Sequence, residues 1–328
     1  MRRTKQTTLF AISVLLACVP FRPHAQGITT EVLLHDAIFV ADFDSVAATE
    51  SSMSASGYRT TDVRVRVTRI LRDANKLGLA PTVVTVAIKQ AGPNTARLYP
   101  FWYNQDIQPS QTYIILSDGQ RDLTGMIEQP ATVELVTTRV DAVGDIELIT
   151  NSARLSVFEQ SRAVTEALRN PRQHSRFLAQ HAAALLAADV DSGTMQLADT
   201  LDGSAAWSFS PNAREYFLHC LSLHFSRSTD VPVGLVRTFV HSAVRYLVTE
   251  SAETQARATH LQRVILESYI PVMLKSERAS AMLRQFAFAP GVSKDLRATA
   301  IKCASDTRLP AASRKSAQDL LALVQDKQ

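Results

Sequence analysis

Residues 62–71 read Asp-Val-Arg-Val-Arg-Val-Thr-Arg-Ile-Leu, in which apolar and polar side chains alternate with a period of two. Val63, Val65 and Val67 point to one side of an extended chain, and the intervening arginines point to the other. This pattern is typical of a β-strand with one buried and one solvated face. The N-terminal half of the chain is therefore predicted to contain a β-sheet.

Segments of the same type lie on both sides of this strand. They are rich in β-branched and aromatic residues, which favour strands. Strands are predicted at Ala37–Val46, Thr82–Ile88 and Thr112–Leu116, and a last hairpin at Ala131–Val140 and Asp145–Ile149. Five or six short strands joined by long polar loops predict a small β-barrel or sandwich over residues 27–150.

The order of four of these segments resembles that of the exported bacterial β-barrels of netrin/TIMP-like, OB-related type. The matching segments are hydrophobic patterns: Asp-Ala-Ile-Phe-Val-Ala-Asp-Phe-Asp-Ser-Val (36–46), Val-Arg-Val-Arg-Val-Thr-Arg-Ile-Leu-Arg (63–72), Val-Val-Thr-Val (83–86) and Thr-Tyr-Ile-Ile-Leu (112–116). The resemblance covers residues 36–118 and implies an OB-related barrel. The cysteines that secure the animal members are missing here, so the resemblance implies no protease-inhibitor role.

After Asn151 the apolar spacing changes to the 3.6-residue period of an α-helix. A capping hydroxyl at Ser210 before Pro211 and an acid at Asp295 support two of the helix starts. Helices are predicted at Leu155–Leu168, Ser175–Ala188, Pro211–Phe225, Val233–Val248, Thr254–Tyr269, Glu277–Phe286, Ser293–Ala304 and Ala311–Val324. The fold class is therefore predicted to be α+β, with a helical domain over residues 153–328.

Helix starts near residues 211, 253 and 294 recur about every 41–42 residues, with another helix between each. This is the size of a two-helix HEAT-type unit. The region resembles a degenerate HEAT-like solenoid, and an irregular helical bundle is the alternative.

The N-terminus has the three-part layout of a secretory signal. A basic head (Met1–Lys5) precedes an apolar run (Leu9–Val19) and a polar exit that ends near Ala25. Three interpretations stay open: cleavage after residues 1–25 as a signal peptide, lipidation at Cys18, or an uncleaved anchor. Each places the protein in the periplasm or outside the cell. Because a membrane-spanning helix needs roughly 20 apolar residues, no transmembrane helix is predicted in the mature chain.

Without residues 1–25 the chain carries 31 basic and 31 acidic side chains. Residues 26–150 contain 10 basic and 15 acidic residues, whereas residues 151–328 contain 21 and 16. These opposite signs favour docking of the two halves on each other. They are too weak to predict a nucleic-acid partner.

Common enzyme signatures are absent from the sequence. It has no Gly-x-Ser-x-Gly elbow, no His-Glu-x-x-His pair, no phosphate-binding loop and no dinucleotide fingerprint, and no cofactor is predicted. Cys220 and His224 are the best metal-ligand candidates because their i,i+4 spacing places them on one helix face, but two ligands need partners. Cys220 and Cys303 are candidates for a disulfide, and two separate core thiols are the alternative.

The segment Tyr99-Pro-Phe-Trp-Tyr103 concentrates four aromatic residues around a proline. Tyr99, Phe101, Trp102 and Tyr103 could line a ligand-binding site at a barrel mouth. The alternative, which we favour, is packing, since large aromatic side chains are chiefly core material.

These observations predict an exported, non-catalytic binding or assembly module of the bacterial cell envelope, with a protein partner whose identity the sequence does not give. The alternative is an envelope hydrolase or metal-dependent enzyme without a readable motif. That alternative predicts a deep polar pocket with at least three convergent titratable groups.

Overall fold

A computed structural model describes residues 30–46, 58–73, 83–91, 112–117, 126–135, 142–170, 172–188, 192–203, 208–227, 230–249, 261–288 and 292–325. Two candidate functional segments lie outside these ranges. They are the N-terminal residues 1–25 with Cys18, and the aromatic segment Tyr99–Tyr103. The structure is α+β, as the sequence predicted.

The β-part follows a one-turn helix, α1 (Glu31–Leu34). Its strands are β1 (Ala37–Val46), β2 (Tyr58–Asp73), β3 (Val83–Ala91), β4 (Thr112–Ser117) and β5 (Met126–Leu135). Along β2 the predicted alternation is present, because Val65 and Val67 are buried whereas Arg64 and Arg66 are exposed.

Hydrogen-bonded pairing joins the strands in the order β1-β2-β3-β5-β4 and returns to β1, which forms a closed barrel. Four of the pairings are antiparallel, and the pairing of β3 with β5 is parallel. Register shifts along β1 mark bulges, which increase local twist and help a sheet close. Phe43 and Tyr113 are buried, and their rings meet edge to face with centroids 4.5 Å apart.

The remaining described elements are helical. They are α2 (Ala142–Ser152), α3 (Val157–Leu168), α4 (Arg176–Ala187), α5 (Ser192–Asp202), α6 (Pro211–Arg227), α7 (Val233–Thr249), the π-helix π1 (Ile265–Tyr269), α8 (Ile270–Lys275), α9 (Glu277–Ala287), α10 (Ser293–Ser305) and α11 (Ala311–Gln325). Residues 261–264 form the α-helical turn before π1. The predicted cap is formed, since Ser210 Oγ accepts a hydrogen bond from the Ala213 amide at 3.3 Å.

The helices from α3 onward stack in succession. Helix α3 packs on α5, α5 on α7 and α7 on α9, while α4 packs on α6. The π-helix lies against α11, where Ser313 Oγ donates to Glu267 Oε1 at 2.8 Å. Most of the buried apolar residues of these helices form one continuous core.

Helix α2 joins the barrel to the helical stack. Its buried residues Ala142, Ile146 and Ile149 belong to the same apolar cluster as Ile38 and Leu116 of the barrel. An ion pair between Arg69 Nη2 of β2 and Glu147 Oε1 of α2, 2.5 Å apart, lies at the edge of this contact. The two halves therefore share a hydrophobic core.

One sequence prediction of secondary structure is wrong, and one helix was missed. Residues 145–149, predicted as a hairpin strand, lie in α2, and Ala142, Ile146 and Ile149 have the i, i+4, i+7 spacing of a helix face. Helix α5 was not predicted at all. The repeat start predicted near residue 253 lies outside the described residues.

In the described ranges, every helix is either too short or too polar to cross a bilayer.

Gly193 gives a direct test of the contact between α3 and α5. A Cβ at this position would lie 2.8 Å from Phe158 Cδ2 and 3.2 Å from the Phe158 backbone, so Gly193→Ala would force the helices apart. We expect Gly193→Ala to lower the free energy of unfolding by about 1–3 kcal/mol, measured by urea denaturation. At Gly234 the nearest atom would be 3.5 Å away, so Gly234→Ala is the tolerated control. Equal stability losses in both variants would contradict this packing.

Candidate functional site

Charged and aromatic side chains connect three consecutive helices of the stack. We call them the α5–α7–α9 row: Asp199 and Asp202 from α5, Arg237 and His241 from α7, and Phe286 from α9. Arg237 binds both carboxylates, donating to Asp199 and lying with Nε 2.5 Å from Asp202 Oδ2. His241 Nδ1 lies 3.1 Å from the same Asp202 oxygen.

One face of the His241 ring packs against α9. Its centroid is 3.9 Å from that of Phe286, and the two planes are inclined by 22°, so the rings are stacked. The next residue along this side of α7, Arg245, donates from Nη1 to the Gly203 carbonyl at 2.9 Å and lies over the Phe286 ring. These polar and aromatic contacts therefore hold α5, α7 and α9 together.

Solvent reaches this row. The side chain of Asp199 is 68 % exposed, that of Arg237 26 % and that of His241 20 %. Burial by itself would lower the pKa of Arg237, but the hydrogen bond to Asp199 and the charges of both aspartates outweigh it and raise the pKa. Arg237 therefore stays charged, and the row presents both signs of charge beside an aromatic ring on an accessible surface.

A second cluster of titratable side chains is centred on the buried Asp145, and we call it the Asp145 cluster. The Asp145 carboxylate accepts hydrogen bonds from Arg172 Nη2 at 3.0 Å and from the backbone amide of Ser175 at 2.7 Å. His174 Nδ1 lies 3.1 Å from Asp145 Oδ1. These contacts tie α2 to the start of α4, so the cluster fixes the chain where the barrel meets the stack.

The geometry of the Asp145 cluster is that of a carboxylate orienting an imidazole, as catalytic dyads require. A substrate has no access to this dyad, because the side chains of Asp145 and His174 are both 0 % exposed. His174 Nε2, the atom that would meet a substrate, has no hydrogen-bond partner within the described residues. The cluster is therefore better explained as structural than as catalytic.

The π-helix has a local cause. Pro271 has no amide hydrogen to donate back into the preceding turn. The Ile270 amide instead bonds to the Ile265 carbonyl, five residues back. Tyr269 of this turn is buried, and its burial, followed by the nearby Glu215 and Cys220, raises its pKa. Tyr269 is thus a neutral packing residue.

His181 predicts a pH dependence of stability. Its side chain is fully buried, and neither ring nitrogen has a hydrogen-bond partner within the described residues. Burial lowers the pKa of His181 to about 4, against 6.5 for the ordinary group. The unfolded chain therefore binds more protons between these values, and stability falls as the pH drops from 6.5 towards 4.

Protonation of the unfolded chain at His181 should lower the free energy of unfolding by about 3 kcal/mol between these two pH values. Urea denaturation at pH 7 and at acid pH measures it, and His181→Leu should reduce the difference by about this amount. His219 and His224, whose pKa values burial also lowers, contribute to what remains. An unchanged difference in the variant would show that other groups cause the pH dependence.

The residues proposed from the sequence as metal or disulfide candidates lie in the helical core. Cys220 and His224 are on α6, and burial, with a contribution from Arg227, lowers the pKa of His224. Within the described residues, no group of three or more His, Cys, Asp or Glu side chains could hold a metal ion. Cys220 and Cys303 are buried and do not form a disulfide.

Sequence reasoning missed both clusters. Asp145 was assigned to a strand, and the row is spread over residues 199–286, so no local motif marks it. The one available signal was the i,i+4 spacing of Arg237, His241 and Arg245, which places all three on one face of α7.

Comparison with known proteins finds no family model that matches the chain, no matching curated protein and no matching solved structure.

Proposed function

We propose that the protein is an exported, non-catalytic binding or assembly module of the bacterial cell envelope. The stacked helices provide the binding surface, and the barrel supports it. The predicted secretory signal supports the location, and the described structure supports the binding role.

The observation that carries the proposal is the α5–α7–α9 row. It places carboxylates, a guanidinium, an imidazole and an aromatic ring on an accessible surface that spans three helices. Protein interfaces are enriched in arginine and aromatic residues, and stacked helices offer extended surfaces for such contacts.

The finer fold assignment is part of the proposal. We infer an OB-related barrel from the five strands, their closed order and the parallel pairing of β3 with β5. We infer a degenerate HEAT-like stack from the successive packing of α3, α5, α7 and α9.

An enzyme function finds weaker support. The Asp145 cluster supplies three convergent titratable groups, which that alternative requires, yet its aspartate and histidine are buried from solvent. The row is accessible, but Arg237 and His241 are both engaged by aspartates.

Capture from the envelope fraction tests the binding role. The double variant Asp199→Arg with Arg245→Glu reverses both charges at the edges of the row without changing the net charge. The control, Asp306→Arg with Arg308→Asp, reverses the charges of an ion pair between α10 and α11 whose arginine is 68 % exposed. We expect the first variant to lose at least one partner that the wild type and the control retain. Identical partner sets for all three proteins would refute the row as the binding surface.

A further inference from the structure

The C-terminal end of the helical stack is strongly basic. Residues 275–325 contain nine Lys or Arg residues and four Asp or Glu residues, a net charge of +5. Residues 26–274 contain 21 basic and 26 acidic residues, a net charge of −5. The positive charge of the chain after residue 25 is therefore concentrated in α9, α10 and α11.

The basic side chains of this end are on its surface. Lys294, Arg297 and Lys302 of α10 and Lys315 of α11 are exposed. None of the four forms an ion pair with another described residue, whereas Arg308 is held by Asp306. We call these four residues the C-terminal basic face. Their charge is available to an external anion, apart from the competing acids Asp295, Asp306 and Asp319, of which Asp306 interacts electrostatically with Lys302.

An apolar side chain lies within this basic face. Ile301 is 51 % exposed, more than any other large hydrophobic residue in the described ranges. It follows Lys294 and Arg297 on one side of α10, at i+7 and i+4. Cations around an exposed aliphatic side chain suit a lipid headgroup layer, where the cations meet phosphates and the aliphatic chain enters the acyl boundary.

We propose that the C-terminal basic face docks the protein on an anionic phospholipid surface. The proposal deepens the envelope function and rests on it, because it names the surface on which the binding module acts. The row on α5, α7 and α9 stays available to a protein partner, since the basic face lies on α10 and α11. Attraction of several cations to headgroup phosphates is screened by salt, so docking should weaken as ionic strength rises.

Co-sedimentation with lipid vesicles tests the proposal on the full chain. One set of vesicles is phosphatidylcholine alone, and the other is phosphatidylcholine mixed with phosphatidylglycerol. The N-terminal apolar segment can bind either set, so the measured quantity is the ratio of the two affinities. We expect a clear preference for the anionic vesicles at low salt and a loss of that preference at high salt.

The test variant neutralises the four cations as Lys294→Gln, Arg297→Gln, Lys302→Gln and Lys315→Gln. Binding to anionic vesicles should weaken at least about tenfold, since each of the four cations contributes to the attraction near such a surface. The matched control neutralises four exposed arginines elsewhere, at Arg154, Arg162, Arg169 and Arg227, and should bind like the wild type. Ile301→Ser should weaken binding to a smaller extent.

Three results would overturn the proposal. The first is equal binding to neutral and anionic vesicles, and the second is an equal loss in the test and control variants. The third is binding of an oligonucleotide or of a second copy of the chain to the basic face, together with no preference for anionic vesicles. Each outcome is separable from the capture experiment on the row, because the two sets of variants share no residue.

Discussion

Asp145→Ala should be among the most destabilising single substitutions in the chain. It removes the carboxylate that binds Arg172, His174 and the Ser175 amide, and it leaves the buried His174 ring and Ser175 amide without this acceptor. Removing one partner of a buried ion pair typically costs about 3–5 kcal/mol. Urea or thermal denaturation should show a loss of this size.

Glu147→Ala is the matched control, since Glu147 lies two residues away on the same helix. Its partner Arg69 has a side chain that is 56 % exposed, and ion pairs of this kind contribute about 0.2–1 kcal/mol. If both variants lost the same stability, the Asp145 cluster would not be the structural connection described above.

Phe239→Ala should be equally costly in the helical stack. Phe239 is fully buried on α7, and its ring centroid lies 5.5 Å from that of Phe225 on α6 and 5.8 Å from that of Tyr269 in the π-helix. The substitution leaves a cavity at the meeting point of three elements. A loss of about 3–5 kcal/mol in the free energy of unfolding is expected.

Phe288→Ala controls for the loss of an aromatic ring as such. Phe288 is 41 % exposed just after α9, so its removal should change stability by less than about 1 kcal/mol. A Phe239→Ala variant that unfolds at the same urea concentration as the wild type would contradict the packing of α7 in the core.

The periodicity of apolar residues and the helix-capping residues predicted much of the fold. The alternation in β2 is seen in the structure, and β1 begins and ends at the predicted residues Ala37 and Val46. Helix starts at Pro211, Val233 and Glu277 were also predicted, because each opens an amphipathic segment.

The failures have physical reasons. Helix α2 was assigned to a strand because Gly144 and the short apolar segment Ile146–Ile149 fit a hairpin as well as a helix. The contacts of the row depend on the stacking of α5, α7 and α9, which no periodicity within one helix encodes. The Asp145 cluster joins residues about 30 positions apart, a tertiary contact that no local sequence pattern encodes.

The central claim is that the α5–α7–α9 row binds a partner in the envelope. Photo-crosslinking in intact cells tests it directly, with the crosslinking residue placed at Gln196 or Gln285 beside the row and at Gln318 on α11 as the control; all three positions are exposed. We expect the same crosslinked partner from Gln196 and Gln285 and no such product from Gln318. Products that are absent at both row positions, or equally abundant at Gln318, would contradict the claim.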